Sequence, residues 1–187
     1  FKDEINGEIF HDHYRVYDKD NLDTPLVEQM LKFWQFEEDE YKDSQPELYW
    51  TDDEIKLGNS IIDEYVGNRE FGCLLISNRF GTQYGEYDEN SYKNDRQKIK
   101  KLLNNNNLPY FYWTHKPLGD LDFNFIEDVL DIHNMDLRLQ LYIKSKAKIN
   151  IGNQCGTNHC VARYSDVYEV QRQSTLGHNF VRGETYL

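Results

Sequence analysis

Short apolar runs and longer amphipathic segments alternate along most of this chain. The run at residues 71–77 has the length and continuity of a strand that is buried on both faces, and the runs at residues 109–113 and 149–151 also predict strands. Segments of helical length, in which apolar positions recur every three or four residues, separate these runs. Strands that alternate with helices predict repeated β–α units, so we expect an α/β fold built on a parallel sheet with helices on both faces.

The amino-terminal third contains two predicted helices. Residues 26–36 predict a short amphipathic helix, which the acidic run 37–40 should end as a solvated connector. Thr51 and Glu54 have the spacing of a capping box, in which each side chain bonds to the other residue's backbone amide. The helix that this box begins should run to about residue 66.

The remaining segments differ in how clearly they predict an element. Residues 93–103 predict an amphipathic helix that the following asparagines end. Residues 123–132 fit a strand, a helix or one of each. Residues 136–148 alternate like a strand, but their length favours a helix. The last elements predicted are a helix and a strand, at residues 157–164 and 167–170, and the tail beyond them has little periodicity.

The turn from Gly152 to His159 follows the run at 149–151 and precedes a predicted helix. It contains a second glycine, Gly156, and forms a strand–turn–helix signature. The first amides of a helix have no partner within it and lie at the positive end of the helix dipole. This turn is therefore predicted to bind an anionic group, most often a phosphate. A glycine turn that serves only strand-to-helix packing is the alternative.

Polar loops follow the other two predicted strands. Asn78 and Arg79 come after the first, and His115 and Lys116 after the second. Because the carboxyl ends of parallel strands lie at one edge of a sheet, and ligands bind in the crevice there, these residues should converge on the turn at Gly152.

Composition excludes several classes of function. The 187 residues carry a formal net charge of −12, which argues against a dedicated binder of nucleic acid or of anionic membranes. No apolar run reaches the length of about 18 residues that a membrane span requires. The three cysteines are too few for a disulfide scaffold and suggest a reducing compartment, so we expect a cytoplasmic protein.

The distribution of acidic residues predicts that the chain has two parts. Seventeen of its 33 acidic residues fall within residues 1–54. Residues 1–45 are predicted to form an acidic, aromatic amino-terminal segment or an interdomain connector, and residues 46–187 the α/β domain. The first residue is Phe1 and no signal-like segment follows it, so we expect a part of a longer chain or a processed one.

Several motifs together resemble a known family. They are Pro-Glu-Leu before a capped helix, a strand ending in Ser-Asn-Arg, the stretch Leu-Gln-Leu-Tyr-Ile-Lys-Ser-Lys-Ala-Lys-Ile-Asn-Ile-Gly, and then Gln-Cys-Gly-Thr-Asn-His-Cys-Val-Ala. Over residues 46–172 the chain resembles the carboxyl-terminal, donor-binding domain of B-type glycosyltransferases, especially the heptosyltransferase-like group. That resemblance implies a Rossmann-like domain forming one half of a B-type glycosyltransferase fold.

The resemblance also implies a function. It implies transfer of a sugar from a nucleotide-diphosphate sugar to an acceptor hydroxyl, with the catalytic base and acceptor pocket mainly in a missing amino-terminal domain of the same chain. The nucleotide sugar is a substrate, and neither a cofactor nor a metal is implied. The implied donor-diphosphate contacts are Arg79, Gly152, Asn153, Gln154, Cys155, Gly156, Thr157 and His159, with Asn78, His115 and Lys116 in the donor pocket. Gln154 and Cys155 stand where many relatives have Asp and Ser or Thr.

Other interpretations of the same residues remain open. Cys155, His159 and Cys160 could suggest zinc, but their spacing does not match the usual sites. Gln-Cys-Gly also resembles a cysteine-peptidase nucleophile at a helix start, which would need a general-base histidine well downstream. A non-catalytic, transferase-like α/β domain that serves as an interaction or assembly module is the main alternative to an enzyme.

Overall fold

The computed structural model describes residues 26–33, 35–41, 45–75, 89–112, 128–132, 134–153, 155–170 and 184–186. The chain divides into two compact units, one formed by residues 1–45 with 174–182 and the other by residues 46–173 with 183–187. Within the described residues, none of the helices combines the length and the hydropathy that crossing a membrane requires.

Among its described residues, the smaller unit contains two short helices, α1 (Leu26–Phe33) and α2 (Glu38–Tyr41). The first ends in a Schellman motif, in which Gln35 takes a left-handed φ of 63°. The backbone amides of Gln35 and Phe36 donate to the carbonyls of Lys32 and Leu31 at 3.0 and 3.2 Å. α1 is therefore shorter than predicted, and most of the acidic run forms α2 rather than a connector.

The described residues of the larger unit form a parallel sheet and the helices that connect several of its strands. Its elements in chain order are α3 (Asp52–Tyr65), β1 (Gly72–Leu75), α4 (Glu89–Asn106), β2 (Tyr110–Tyr112), β3 (Val129–Asp131), α5 (Leu137–Lys146), β4 (Ile149–Asn153), α6 (Gly156–Val161), β5 (Asp166–Val170) and β6 (Glu184–Tyr186). The six strands lie in the order β3-β2-β1-β4-β5-β6, and each neighbouring pair is parallel. The predicted Rossmann-like α/β fold is confirmed.

Helices pack against both faces of the sheet, and successive side chains of each strand point to opposite faces. On one face the strands pack against α4 in a cluster of Leu74, Ile99, Leu103, Tyr110, Tyr112, Ile149, Ile151 and Val170. On the other they pack with α3 and α5 in a cluster of Val66, Phe71, Cys73, Phe111, Ile132, Ile143 and Ala147. This two-sided burial explains why β1 and β2 are continuous apolar runs in the sequence.

Aromatic packing joins α3 to α5. The ring of Tyr142 fits against Gly58, where an added Cβ would lie 2.2 Å from its Cδ1 atom. The Tyr142 hydroxyl donates to Asn59 Oδ1 at 2.7 Å, and Trp50 meets the ring edge-on at 5.5 Å between centroids. Gly58 therefore sets how closely these two helices approach.

The predicted capping box is present at the start of α3. The Thr51 hydroxyl accepts from the Glu54 amide at 3.2 Å, and the Thr51 amide donates to the Glu54 carboxylate at 2.7 Å. Arg138, in the first turn of α5, adds two bonds to the same carboxylate and a third to the Tyr49 carbonyl. The hydrogen bonds that its carboxylate accepts from Arg138 and Thr51 lower the pKa of Glu54 to about 2, those from Arg138 most strongly.

We expect Glu54 to make the free energy of unfolding depend on pH in acid. Because its pKa in the folded protein lies below the unfolded value, its contribution is present above about pH 4.5 and is lost as the pH falls towards 2. Urea unfolding between pH 2 and 6 should therefore show a steeper loss of stability for the wild type than for Glu54→Gln. Equal slopes for the two proteins would contradict this role.

In the larger unit, one helix is longer than predicted, an ambiguous segment contains a strand, and the tail contains a strand that was not predicted. α4 extends to Asn106, whose side-chain amide donates to the Leu102 carbonyl at 2.8 Å, and the left-handed turn comes only at Asn107, with φ 46°. The ambiguous segment at 123–132 contains β3, and its residues before 128 lie outside the described ones. The tail contains β6, which sequence periodicity missed.

Candidate functional site

The order of the strands identifies one crevice in the sheet. The chain runs from β1 outward through β2 to β3, and then returns across β1 to build β4, β5 and β6 on the other side. β1 and β4 are therefore neighbours whose following connections leave in opposite directions. In open parallel sheets, ligands bind at the carboxyl ends of two such strands. Here those ends are Leu75 and Asn153.

Gly152 brings β1 and β4 unusually close at this crevice. It is buried and pairs with Leu75 across the sheet. A Cβ at position 152 would lie 2.0 Å from the Leu75 carbonyl oxygen and 2.8 Å from its carbonyl carbon. The first glycine of the predicted turn is thus required for packing between two backbones.

Gly156 lies in the opposite environment. It is the first residue of α6, it is exposed, and a Cβ there would meet no atom of the described residues within 4 Å. Its φ lies outside the left-handed region. Among the described residues nothing therefore accounts for Gly156 by packing or by backbone conformation, and the space beside it is open.

The first turn of α6 leaves backbone donors available. The amides of Asn158 and His159 donate to the Cys155 carbonyl at 3.0 and 3.2 Å. Cys155 occupies the N-cap position but makes no capping hydrogen bond, and its Sγ atom lies 3.1 Å from Thr157 Oγ1. Within the described part of the chain, no backbone acceptor faces the amides of Gly156 and Thr157.

The structure brings most of the predicted turn to this crevice. Gly152 and Asn153 end β4, Cys155 is the N-cap, and Gly156, Thr157 and His159 lie in α6. β2 is the other neighbour of β1, so the three strands after which the polar loops were expected are adjacent. The remaining predicted site residues lie outside the described ones: Asn78, Arg79, His115, Lys116 and Gln154.

A buried lysine beneath this turn was missed by sequence reasoning. Lys144, in the last turn of α5, is 2% exposed. Its Nζ atom donates to Asn158 Oδ1 at 2.5 Å and to Thr157 Oγ1 at 3.4 Å. The pKa of Lys144 is lowered, because burial disfavours its charged form. The nearby thiols and the carboxylate of Glu169 act in the opposite direction, but less strongly. Lysine side chains are mostly exposed, so the residue type at position 144 gives no sign of its burial.

Glu169 is a second buried charge at the same edge. It lies on β5 with no exposed surface and pairs in register with Gly152 of β4. The strand that contains Glu169 is predicted by the sequence, but the burial of its side chain is not. Two buried groups of opposite charge, Lys144 and Glu169, therefore lie next to the crevice, each within electrostatic range of the other.

The cysteines near the turn were considered in the sequence as ligands for zinc. In the residues that the structure describes, no three His, Cys, Asp or Glu side chains are grouped so that they could hold a metal ion. Burial raises the pKa of Cys73 to about 12 and also raises the pKa of Cys160. The charge of Lys144 opposes both shifts but does not cancel them. Cys73 is thus held as a neutral thiol in the core.

Comparison with known proteins gives matches among solved structures alone. No protein family and no curated protein matches the sequence. The chain is similar to E. coli ADP-heptose LPS heptosyltransferase II, with 12% identity and a TM-score of 0.51, over 76% of this chain and 45% of that one. It is also similar to E. coli heptosyltransferase WaaC with ADP, with 14% identity and a TM-score of 0.51, over 91% and 51%.

The chain thus spans about half the length of the two solved structures. Identities this low establish a likeness of fold, which agrees with the resemblance in the sequence motifs. The chain has the Rossmann-like α/β fold that is found in heptosyltransferases.

Proposed function

We propose that this chain is the donor-binding part of a glycosyltransferase, which moves a sugar from a nucleotide-diphosphate sugar to an acceptor hydroxyl. The observation that carries the proposal is the space beside Gly156 at the crevice between β1 and β4, which none of the described residues fills. A glycine that neither packing nor backbone conformation requires has a role when a ligand approaches the backbone closely.

The chemistry of the crevice favours an anion. The amides of Gly156 and Thr157 are donors without a backbone acceptor among the described residues, and they lie at the positive end of α6. The diphosphate of the donor is the group that these amides would bind. The proposed contacts are those of the sequence analysis, namely Gly152, Asn153, Gln154, Cys155, Gly156, Thr157, His159 and Arg79, with Asn78, His115 and Lys116 around the rest of the donor.

The reaction breaks the bond between the anomeric carbon of the sugar and the diphosphate oxygen, and forms a bond from that carbon to the acceptor oxygen. Negative charge develops on the departing nucleoside diphosphate. Fixed donors aimed at that charge stabilise the transition state more than the substrate. In this proposal the amides of the turn and Arg79 supply that stabilisation, so no metal or further cofactor is needed. The base that takes the acceptor proton lies outside this chain's donor site.

The likeness to solved structures supports the proposal at the level of fold. One of the two similar structures is a heptosyltransferase with ADP, a nucleoside diphosphate. The chain is only about half as long as that protein, so an acceptor-binding part would have to come from elsewhere. The proposal therefore assigns donor binding to this chain and leaves acceptor binding to another domain.

We expect nucleotide-diphosphate sugars to raise the melting temperature. A ligand at a hundred times its Kd stabilises the folded state by about 2.7 kcal/mol, which corresponds to about 5–10 °C for a domain of this size. Melting curves should be recorded with ADP-, UDP- and GDP-linked sugars, with the matching nucleosides as controls, and with and without EDTA. A shift that EDTA abolishes would refute the metal-independent mechanism. No shift with any of these sugars would refute donor binding and favour the interaction module.

A further inference from the structure

We draw no further inference here: the strongest candidate, the surface patch at α3 and α5 that exposes Tyr49, Leu57 and Leu137, carries none, because nothing in the part of the chain that the structure describes shows what covers it.

Discussion

Gly152→Ala should strongly destabilise the fold. The new Cβ would lie 2.0 Å from the carbonyl oxygen of Leu75, and the obstacle is backbone in the middle of the sheet rather than the end of a flexible side chain. Relief requires β1 and β4 to move apart, which breaks the pairing on which both faces of the core depend. Overpacking of a core costs typically about 1–3 kcal/mol, and with a backbone obstacle we expect about 3 kcal/mol or more.

Urea unfolding measures this effect, and Gly156→Ala is the matched control. Both variants add one methyl group to a glycine of the same turn. At position 156 the methyl group meets no atom of the part of the chain that the structure describes within 4 Å, so the free energy of unfolding should change by less than about 0.5 kcal/mol. If Gly152→Ala unfolds at the same urea concentration as the wild type, the close approach of β1 and β4 at Leu75 is not a constraint on the fold.

Local chemistry made much of the fold predictable from the sequence. The capping box of α3 needs only Thr51 and Glu54 at the right spacing, and both of its hydrogen bonds are present. β1 and β2 are apolar runs because helices cover both faces of the sheet, so their burial is visible in composition alone. The helical form of α5 followed from its length, although its apolar residues also alternate like those of a strand.

Elements that depend on distant partners were not predictable in the same way. β6 has three residues, Glu184–Tyr186, and it is a strand because it pairs with β5 at the edge of the sheet. Its sequence carries no alternation long enough to reveal that pairing. The end of α1 was likewise missed, since it depends on Gln35 taking a left-handed conformation that glycine usually adopts.

The residues of the candidate site also differ in how well the sequence predicts them. The turn between β4 and α6 was visible because it contains two glycines directly after a strand, and the structure shows that they lie in different surroundings. Gly152 packs against the Leu75 backbone, whereas Gly156 faces open space. The buried charges Lys144 and Glu169 were invisible, because their burial is decided by how α5, α6 and β5 assemble. Sequence patterns locate backbone chemistry better than they locate buried side-chain charge.

Gly156→Val should abolish nucleotide-diphosphate binding while leaving the fold intact. The branched side chain would fill the open space beside the amides of Gly156 and Thr157, where the proposed diphosphate must approach the backbone. We expect a loss of affinity of at least 100-fold, about 2.7 kcal/mol, and hence no ligand-induced rise in melting temperature.

The comparison with Gly156→Ala shows how close the ligand comes. A methyl group occupies less of the space, so Gly156→Ala should lose less affinity than Gly156→Val, and both should melt near the wild-type temperature without ligand. If Gly156→Val binds as tightly as the wild type, the diphosphate does not approach this residue, and donor binding loses its main support. A graded loss would instead tie the open space to the bound phosphate, because the fold itself places no demand on the residue.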